Sequence, residues 1–287
     1  MRVLVLGANG MLGHAVFRLF ARSSDCDVFG SMRSAKGLGF LPPELHNRVF
    51  TAVDVENSND MTRLFASVRP DVVINCVGLI KQLPVSGDPL SAISINALLP
   101  HWLAQLSSVA GARLIQIGTD CVFSGSKGGY KESDPSDAQD LYGRSKFLGE
   151  VDYAHAVTLR TSIIGHELEG TNSLLEWFLA QTGSVKGYRK AIFSGLTTPE
   201  LARVIRDHVV PRADLHGVYH VSAAPISKYD LLTLVAEVYG KTIDIQSDDQ
   251  VVIDRSLDST RFKEATGYRD PAWPDMIRGM KDFESEK

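Results

Sequence analysis

A short, largely apolar run that ends in three regularly spaced glycines constrains this chain more than any other feature. Arg2 to Leu6 reads as a strand, and Gly7-Ala8-Asn9-Gly10-Met11-Leu12-Gly13 follows at once. Met11, Leu12, Ala15, Val16, Leu19 and Phe20 then recur at helical spacing. Strand, glycine turn and helix in that order place a helix N-terminus where a phosphate can be received. Gly7 permits the tight turn, Gly10 lets backbone approach a pyrophosphate, and Gly13 allows helix and strand to pack closely. The spacing is G-x-x-G-x-x-G rather than the commoner G-x-G-x-x-G. A turn that merely needs glycines is the plain alternative.

The following segments keep an alternating strand–helix rhythm, which predicts an α/β fold with a doubly wound parallel sheet. Asp27-Val28-Phe29-Gly30-Ser31 is a second strand. An acidic residue at its far end would hold the ribose hydroxyls of NAD, but Asp27 lies at its start. The far end carries Ser31, Met32 and then Arg33, whose guanidinium suits a 2′-phosphate. NADP(H) is therefore preferred over NAD(H), with a solvated surface arginine as the bland reading. Val49 to Val55 reads as a third strand, its end at Asp54-Val55 placed to touch an adenine. Val72 to Gly78 is almost unbroken in its apolar character, as expected of a central strand buried on both faces. Asn96 lies on the long apolar helix around Ile93 to Val109 and reads as structural, bonded to backbone. Ala112 to Gly118 is the next strand, and Thr119 sits where the chain leaves its carboxyl end.

Leu141-Tyr142-Gly143-Arg144-Ser145-Lys146 follows. Residues four apart on a helix share one face, so Tyr142 and Lys146 are stacked there. A phenol has a pKa of about 10, too high to ionise at neutral pH unaided. An ammonium at about 4 Å is worth roughly 4 kcal/mol to the phenolate at an effective dielectric of about 20. The expectation is a tyrosine whose pKa is lowered by Lys146, able to exchange a proton with a carbonyl or alcohol. A chance helical pair is the alternative, and the preceding glycine turn weighs against it.

At 287 residues the chain suffices for one large domain or two modest ones, and its net charge of -4 creates no bulk field for nucleic acid or anionic lipid. No apolar run approaches a membrane helix, and the N-terminus lacks a signal-peptide layout. Cys26, Cys76 and Cys121 are far apart and lack metal-ligand spacing, and the histidines form no metal-like cluster. A reduced, cytoplasmic compartment without a bound metal is the expectation. Beyond Ser162 the rhythm breaks. Ser173 to Thr182 reads as a helix, and Lys186-Gly187-Tyr188-Arg189-Lys190 as a basic, aromatic loop that either holds a diphosphate and base or is simply solvated. The predicted organisation is a dinucleotide-binding domain over 1–162, together with part of 190–222. A smaller mixed α/β substrate-binding region follows over 163–287.

In combination these pieces resemble the extended short-chain dehydrogenase/reductase superfamily, and within it the dTDP-4-dehydrorhamnose reductase family. The resemblance rests on Gly7 to Gly13, on Ile117-Gly118-Thr119-Asp120-Cys121-Val122-Phe123-Ser124-Gly125, and on Tyr142-Gly143-Arg144-Ser145-Lys146 with Gly149-Glu150. Leu159-Arg160-Thr161-Ser162, Gly195-Leu196-Thr197-Thr198 and Arg255-Ser256-Leu257-Asp258-Ser259-Thr260 extend it over nearly the whole chain. It implies that Thr119 bonds the substrate oxygen, that Tyr142 is the general acid, and that Lys146 holds the nicotinamide ribose and tunes the tyrosine. Gly7, Asn9, Gly10, Met11, Leu12, Arg33, Asp54, Val55, Cys76, Val77 and Gly78 would surround the cofactor. Cys121, Val122, Phe123, Ile163, Lys186 and Arg189 would face the substrate.

The implied reaction is reduction of a 4-keto-6-deoxy sugar carried on a nucleotide diphosphate, with a homodimer as a compatible assembly. Two departures qualify it. Related sugar-nucleotide 4,6-dehydratases carry a proton-removing glutamate where this chain has Cys121, a poor substitute at an ordinary thiol pKa. Rhamnose-forming reductases usually carry a tryptophan where this chain has Ile163-Ile164-Gly165, and a tyrosine in place of Cys121, so the sugar or its nucleotide (dTDP or UDP) can differ. A 4-epimerase with retained NAD and a non-catalytic regulatory subunit, as in the beta subunit of methionine adenosyltransferase, are the rivals.

Overall fold

The computed structural model describes residues 1–80 and 87–286. The first part alternates β1 (Arg2–Leu6), α1 (Met11–Ala21), β2 (Asp27–Ser31), β3 (Val49–Phe50), α2 (Ser58–Val68) and β4 (Val72–Asn75). It continues through α3 (Pro89–Ala92), α4 (Leu99–Ala110), β5 (Arg113–Ile117), α5 (Leu141–Leu148) and β6 (Ala156–Arg160). The second part holds β7 (Ile163–Ile164), α6 (Leu174–Ala180), β8 (Ser184–Tyr188), β9 (Ala191–Phe193), β10 (Leu196–Thr197) and α7 (Thr198–Val204). Then come β11 (Gly217–His220), β12 (Ile226–Ser227), α8 (Lys228–Tyr239), β13 (Asp244–Asp248), β14 (Ile253–Asp254), α9 (Thr260–Thr266) and α10 (Trp273–Ser285).

Seven parallel strands form the main sheet in the order β3-β2-β1-β4-β5-β6-β11. The order reverses between β1 and β4, the switch point where open α/β sheets bind ligands. β4 is buried at every position because helices cover both faces. On one side Phe17 and Phe20 of α1 pack in a core with Leu201 of α7 and Ile277 of α10. On the other, Met61, Leu64 and Phe65 of α2 meet Leu99 and Leu103 of α4. β11 lies beyond residue 162 in sequence yet completes the sheet edge beside β6, so the main sheet draws on both halves of the chain. Among the described residues no helix is long and apolar enough to cross a membrane.

Two expectations are corrected. The third strand stops at Phe50 because Ala52 takes a left-handed backbone (φ 57), so Val53 to Val55 leave the sheet. The stretch from Lys186 to Arg189 is not a free loop. β8 carries Lys186 and pairs in parallel with β13, Lys186 bridges Asp248 at 2.9 Å, and Arg189 bridges Asp249 at 2.7 Å.

Behind α5 lies a buried ionic network. Arg160 at the end of β6 grips Glu150 through Nε–Oε1 at 2.6 Å and Nη2–Oε2 at 2.7 Å, with both side chains under 10% exposed. Its Nη1 donates to His220 Nε2 at 3.1 Å, and His220 Nδ1 donates to the Tyr130 carbonyl at 3.0 Å. This arrangement requires a neutral imidazole. Burial, reinforced by Arg160, pushes His220 down to about 4. Below its ordinary value of 6.5 the unfolded chain takes a proton that the folded chain refuses, so stability is lost as pH falls from there toward 4. The full loss amounts to about 3 kcal/mol. Urea unfolding across that window is expected to show a His220→Gln variant with a shallower acid slope than the parent. Parallel slopes for the two proteins overturn this assignment.

Candidate functional site

A cavity of about 890 Å³ opens along the carboxyl ends of the sheet strands. One part of it is built by the glycine turn. Gly7 has φ +80, and its amide and that of Ala8 donate to the Ser31 carbonyl at 3.2 and 3.0 Å, tying the turn to the end of β2. A Cβ at Gly13 would stand 2.1 Å from the Gly7 oxygen, so close packing of α1 on the turn demands glycine there. Gly10 is different. Its backbone is ordinary extended chain (φ -84, ψ 162), and a Cβ there would touch only the Gly7 oxygen at 3.4 Å. Neither conformation nor internal packing requires glycine at position 10; what the missing side chain leaves open is the cavity. Gly10 is also the N-cap of α1, with no capping side chain and no acidic residue in the first turn. The uncapped amides and the positive end of the helix dipole suit a pyrophosphate, so the residues present fit a dinucleotide.

The opposite wall is made by α5 and the turn after β5. Asp140 caps α5 by accepting from the Gly143 amide at 2.7 Å. Gly143 lets the helix press against the turn after β5, since a Cβ would lie 2.4 Å from the Cys121 carbonyl oxygen. Gly149 does the same at the other end, where a Cβ would lie 1.9 Å from the Asn96 carbonyl oxygen. α5 is thereby clamped between two backbones, and Thr119, Tyr142 and Lys146 all reach the cavity. Asn96 sits in a π-helical stretch, Ile93–Leu98, that joins α3 to α4. Its Oδ1 accepts from the Leu79 amide at 2.9 Å and its Nδ2 donates to the Leu79 carbonyl at 3.3 Å and Ser145 Oγ at 3.4 Å. It thus fixes the chain after β4 against α5, a structural task performed at the cavity wall.

The electrostatics differ from the sequence expectation. Burial pushes the Tyr142 phenol above its ordinary value, the Cys121 thiol and the Asp120 and Asp140 carboxylates act the same way, and a Thr119 hydrogen bond opposes them. Lys146 does not lower it. Its Nζ donates to the Ile117 carbonyl at 3.0 Å instead, because helical spacing puts two side chains on one face without deciding where their ends turn. Burial brings Lys146 down to about 8, opposed by Glu150 and Cys76, so the ammonium persists at neutral pH. The site therefore holds a protonated phenol and a buried cation, the states needed to give a proton to a carbonyl oxygen. Cys121 is pushed up to about 12, chiefly by burial, which removes it as a base near neutrality.

The chain matches the family described as RmlD substrate binding domain over residues 1–252. It belongs to that family. It is similar to the methionine adenosyltransferase 2 subunit beta of Danio rerio, at 27% identity over 95% of this chain and 90% of the relative. It is also similar to the dTDP-4-dehydrorhamnose reductase of Streptomyces griseus, at 33% identity, but only over 52% of this chain and 43% of that protein. In fold it resembles the crystal structure of dTDP-4-dehydrorhamnose reductase from Bacillus anthracis in complex with NADP. The TM-score is 0.78 at 20% identity, covering 100% of this chain and 99% of that one.

Of the residues expected at the site, Asn9, Gly10, Met11, Leu12, Arg33, Cys76, Val77, Gly78, Thr119, Cys121, Tyr142, Lys146 and Ile163 line the cavity, and Gly7 shapes the turn behind it. Asp54 and Val55 are not among the cavity's lining residues. Asp54 accepts from the Glu56 amide at 3.0 Å in the turn before α2, and Val55 packs on the α2-side core. Val122 and Phe123 are wholly buried in a small cluster with Tyr130 and Leu257, where Phe123 stacks on Tyr130 at 4.2 Å. Lys186 and Arg189 are held on the β8–β13 ribbon. In their place the cavity presents Lys36, Lys228 and Arg255. None of the three is a candidate from sequence alone; for Arg255 the available signal is its place in a motif that carries the resemblance.

Two glycine substitutions separate fold from ligand. Gly13→Ala is expected to lower thermal stability, through collision with the Gly7 oxygen. Gly10→Ala is expected to melt as the parent does yet bind a nicotinamide dinucleotide at least about tenfold more weakly by titration calorimetry. Undiminished affinity in Gly10→Ala removes the turn from the cofactor site.

Proposed function

We propose that this protein reduces the ketone of a nucleotide-diphosphate-linked 4-keto-6-deoxy sugar, with NADPH preferred to NADH. The observation that carries the reading is the gathering of Thr119, Tyr142 and Lys146 in a cavity that also contains a glycine turn left open at Gly10. A bound nicotinamide dinucleotide would supply the hydride. This chain's own residues do the rest. The Thr119 and Tyr142 hydroxyls converge on the ketone oxygen and stabilise the charge that develops there. Tyr142 delivers its proton to that oxygen, and the Lys146 ammonium, anchored on the Ile117 carbonyl, holds the ribose. Burial keeps the Tyr142 phenol protonated, the state from which it can give a proton.

The high pKa of Cys121 and the absence of a glutamate at its position argue against dehydration. Preference for NADPH rests on Arg33, which stands on the cavity wall beyond β2 with Ser34 and Lys36 close in sequence, while Asp27 is at the opposite end of that strand. The likeness to reductases of 4-keto sugar nucleotides supports the substrate class. The likeness to a methionine adenosyltransferase subunit favours a second reading, dinucleotide binding without turnover.

A panel of dTDP- and UDP-linked 4-keto-6-deoxy sugars with NADPH and NADH distinguishes these. Oxidation of NADPH is expected with at least one sugar, and Tyr142→Phe should lower turnover by about 10²–10⁴-fold without altering the melting temperature. Binding of NADPH with no turnover on any sugar selects the regulatory reading. Arg33→Ala is expected to weaken NADPH by about 10–100-fold and NADH hardly at all. Equal losses for both cofactors exclude Arg33 as the reader of the 2′-phosphate.

A further inference from the structure

The side of the cavity built by the second half of the chain contains two cations, Lys228 and Arg255, that form no ion pair among the described residues. They are brought together by a three-stranded sheet in the order β12-β9-β14. Lys228 follows β12 directly and Arg255 follows β14, so the two flank the central strand that ends in Phe193. The Lys228 ammonium lies 4.4 Å from the centre of the Phe193 ring. It is the first residue of α8, capped by Ser227, and so adds to the positive end of a twelve-residue helix. Arg255 is anchored by Nε alone, which donates to the Phe123 carbonyl at 2.8 Å, leaving the guanidinium's terminal nitrogens for a ligand.

The carboxylates nearby do not neutralise these cations. Asp120 feels both of them, but it lies beyond ion-pair distance and burial pushes its carboxyl toward the neutral form. Asp137, also near Arg255, is engaged by the Ser124 amide and hydroxyl, each at 2.6 Å. Glu167 accepts from the Asn172 and Ser173 amides, and Glu169 bridges Lys36 at 2.6 Å. Two under-compensated cations in a partly dry pocket call for an anion with two charges and several oxygens. A diphosphate diester has both. Asp120 and Cys121 feel the charges of Lys228 and Arg255 and act in turn on Tyr142, so an anion held by this pair would be joined to the ketone through the body of the substrate.

We propose that Lys228 and Arg255 form the clamp that holds the diphosphate of the nucleotide-linked substrate, a role that rests on the sugar-nucleotide reading above. The assignment replaces Lys186 and Arg189, whose charges are already paired with Asp248 and Asp249. Arg255 contributes a planar fork and Lys228 a point charge fixed by the Phe193 face.

The test uses dTDP and UDP, which carry the diphosphate but no ketone, titrated calorimetrically into the full-length protein. Parent, Lys228→Met, Arg255→Met and Arg255→Lys are compared, with NADPH affinity measured on the same samples. Lys228→Met and Arg255→Met are each expected to weaken nucleotide diphosphate binding by about 10–100-fold while NADPH binding is unchanged. Arg255→Lys should recover part of the loss. The parent's affinity should fall with added salt, less steeply in either Met variant. Parent-like nucleotide affinity in both Met variants, with NADPH still bound, overturns the clamp and leaves the reductase reading standing. Failure of the parent itself to bind either nucleotide overturns the clamp together with the sugar-nucleotide reading, whereas failure to bind only NADPH strikes the reductase reading alone.

Discussion

The site depends on α5 being pressed between two backbones. A helix bearing ordinary side chains at positions 143 and 149 would stand off from the Cys121 carbonyl on one side and the Asn96 carbonyl on the other. That displacement would carry Tyr142 away from Thr119 and Lys146 away from the end of β5. Glycine is a poor helix former, costing about 1 kcal/mol relative to alanine in a helix interior. Here Gly143 lies in the first turn and Gly149 at the C-cap, where that cost is smallest and the gain in proximity largest.

The clamp also settles the charges. Once α5 is seated, Lys146 is enclosed and must find acceptors inside the protein, which it does at the Ile117 carbonyl. Glu150, just past the helix, opposes the fall in its pKa and is itself gripped by Arg160. Burial, together with Arg160, keeps His220 a neutral acceptor. One chain of contacts thus runs from the edge strand β11 to the cavity wall. The fold and the protonation states of the site are coupled through that buried network, in which the loss of any one partner strands another charge.

Much of the glycine-turn side of the cavity was legible from residues alone, because its parts are local. The turn from Gly7 to Gly13 is one contiguous segment with its strand before it and its helix after it, and what it offers is backbone amides at a helix N-terminus. Arg33 follows its strand directly. The third strand reads too long in the sequence because a positive φ at Ala52, a non-glycine residue, ends β3 early, and nothing in the composition announces it. Val122 and Phe123 misled for another reason. They continue the motif that carries Thr119, but the chain dives into the interior after Cys121, and Phe123 is consumed in stacking with Tyr130.

By itself the sequence determined the parallel α/β sheet, its glycine turn and the helix that carries a tyrosine and a lysine one turn apart. Each of these follows from periodicity and spacing within a short window. Only the tertiary structure decided which charges face the cavity. Lys186 and Arg189 look free in sequence, yet a ribbon partner some sixty residues away neutralises Arg189. Lys228 and Arg255 look unremarkable, yet the small sheet seats them on either side of β9. A side chain's charge is written in the sequence; whether it is already paired depends on strands that meet only when the chain has folded.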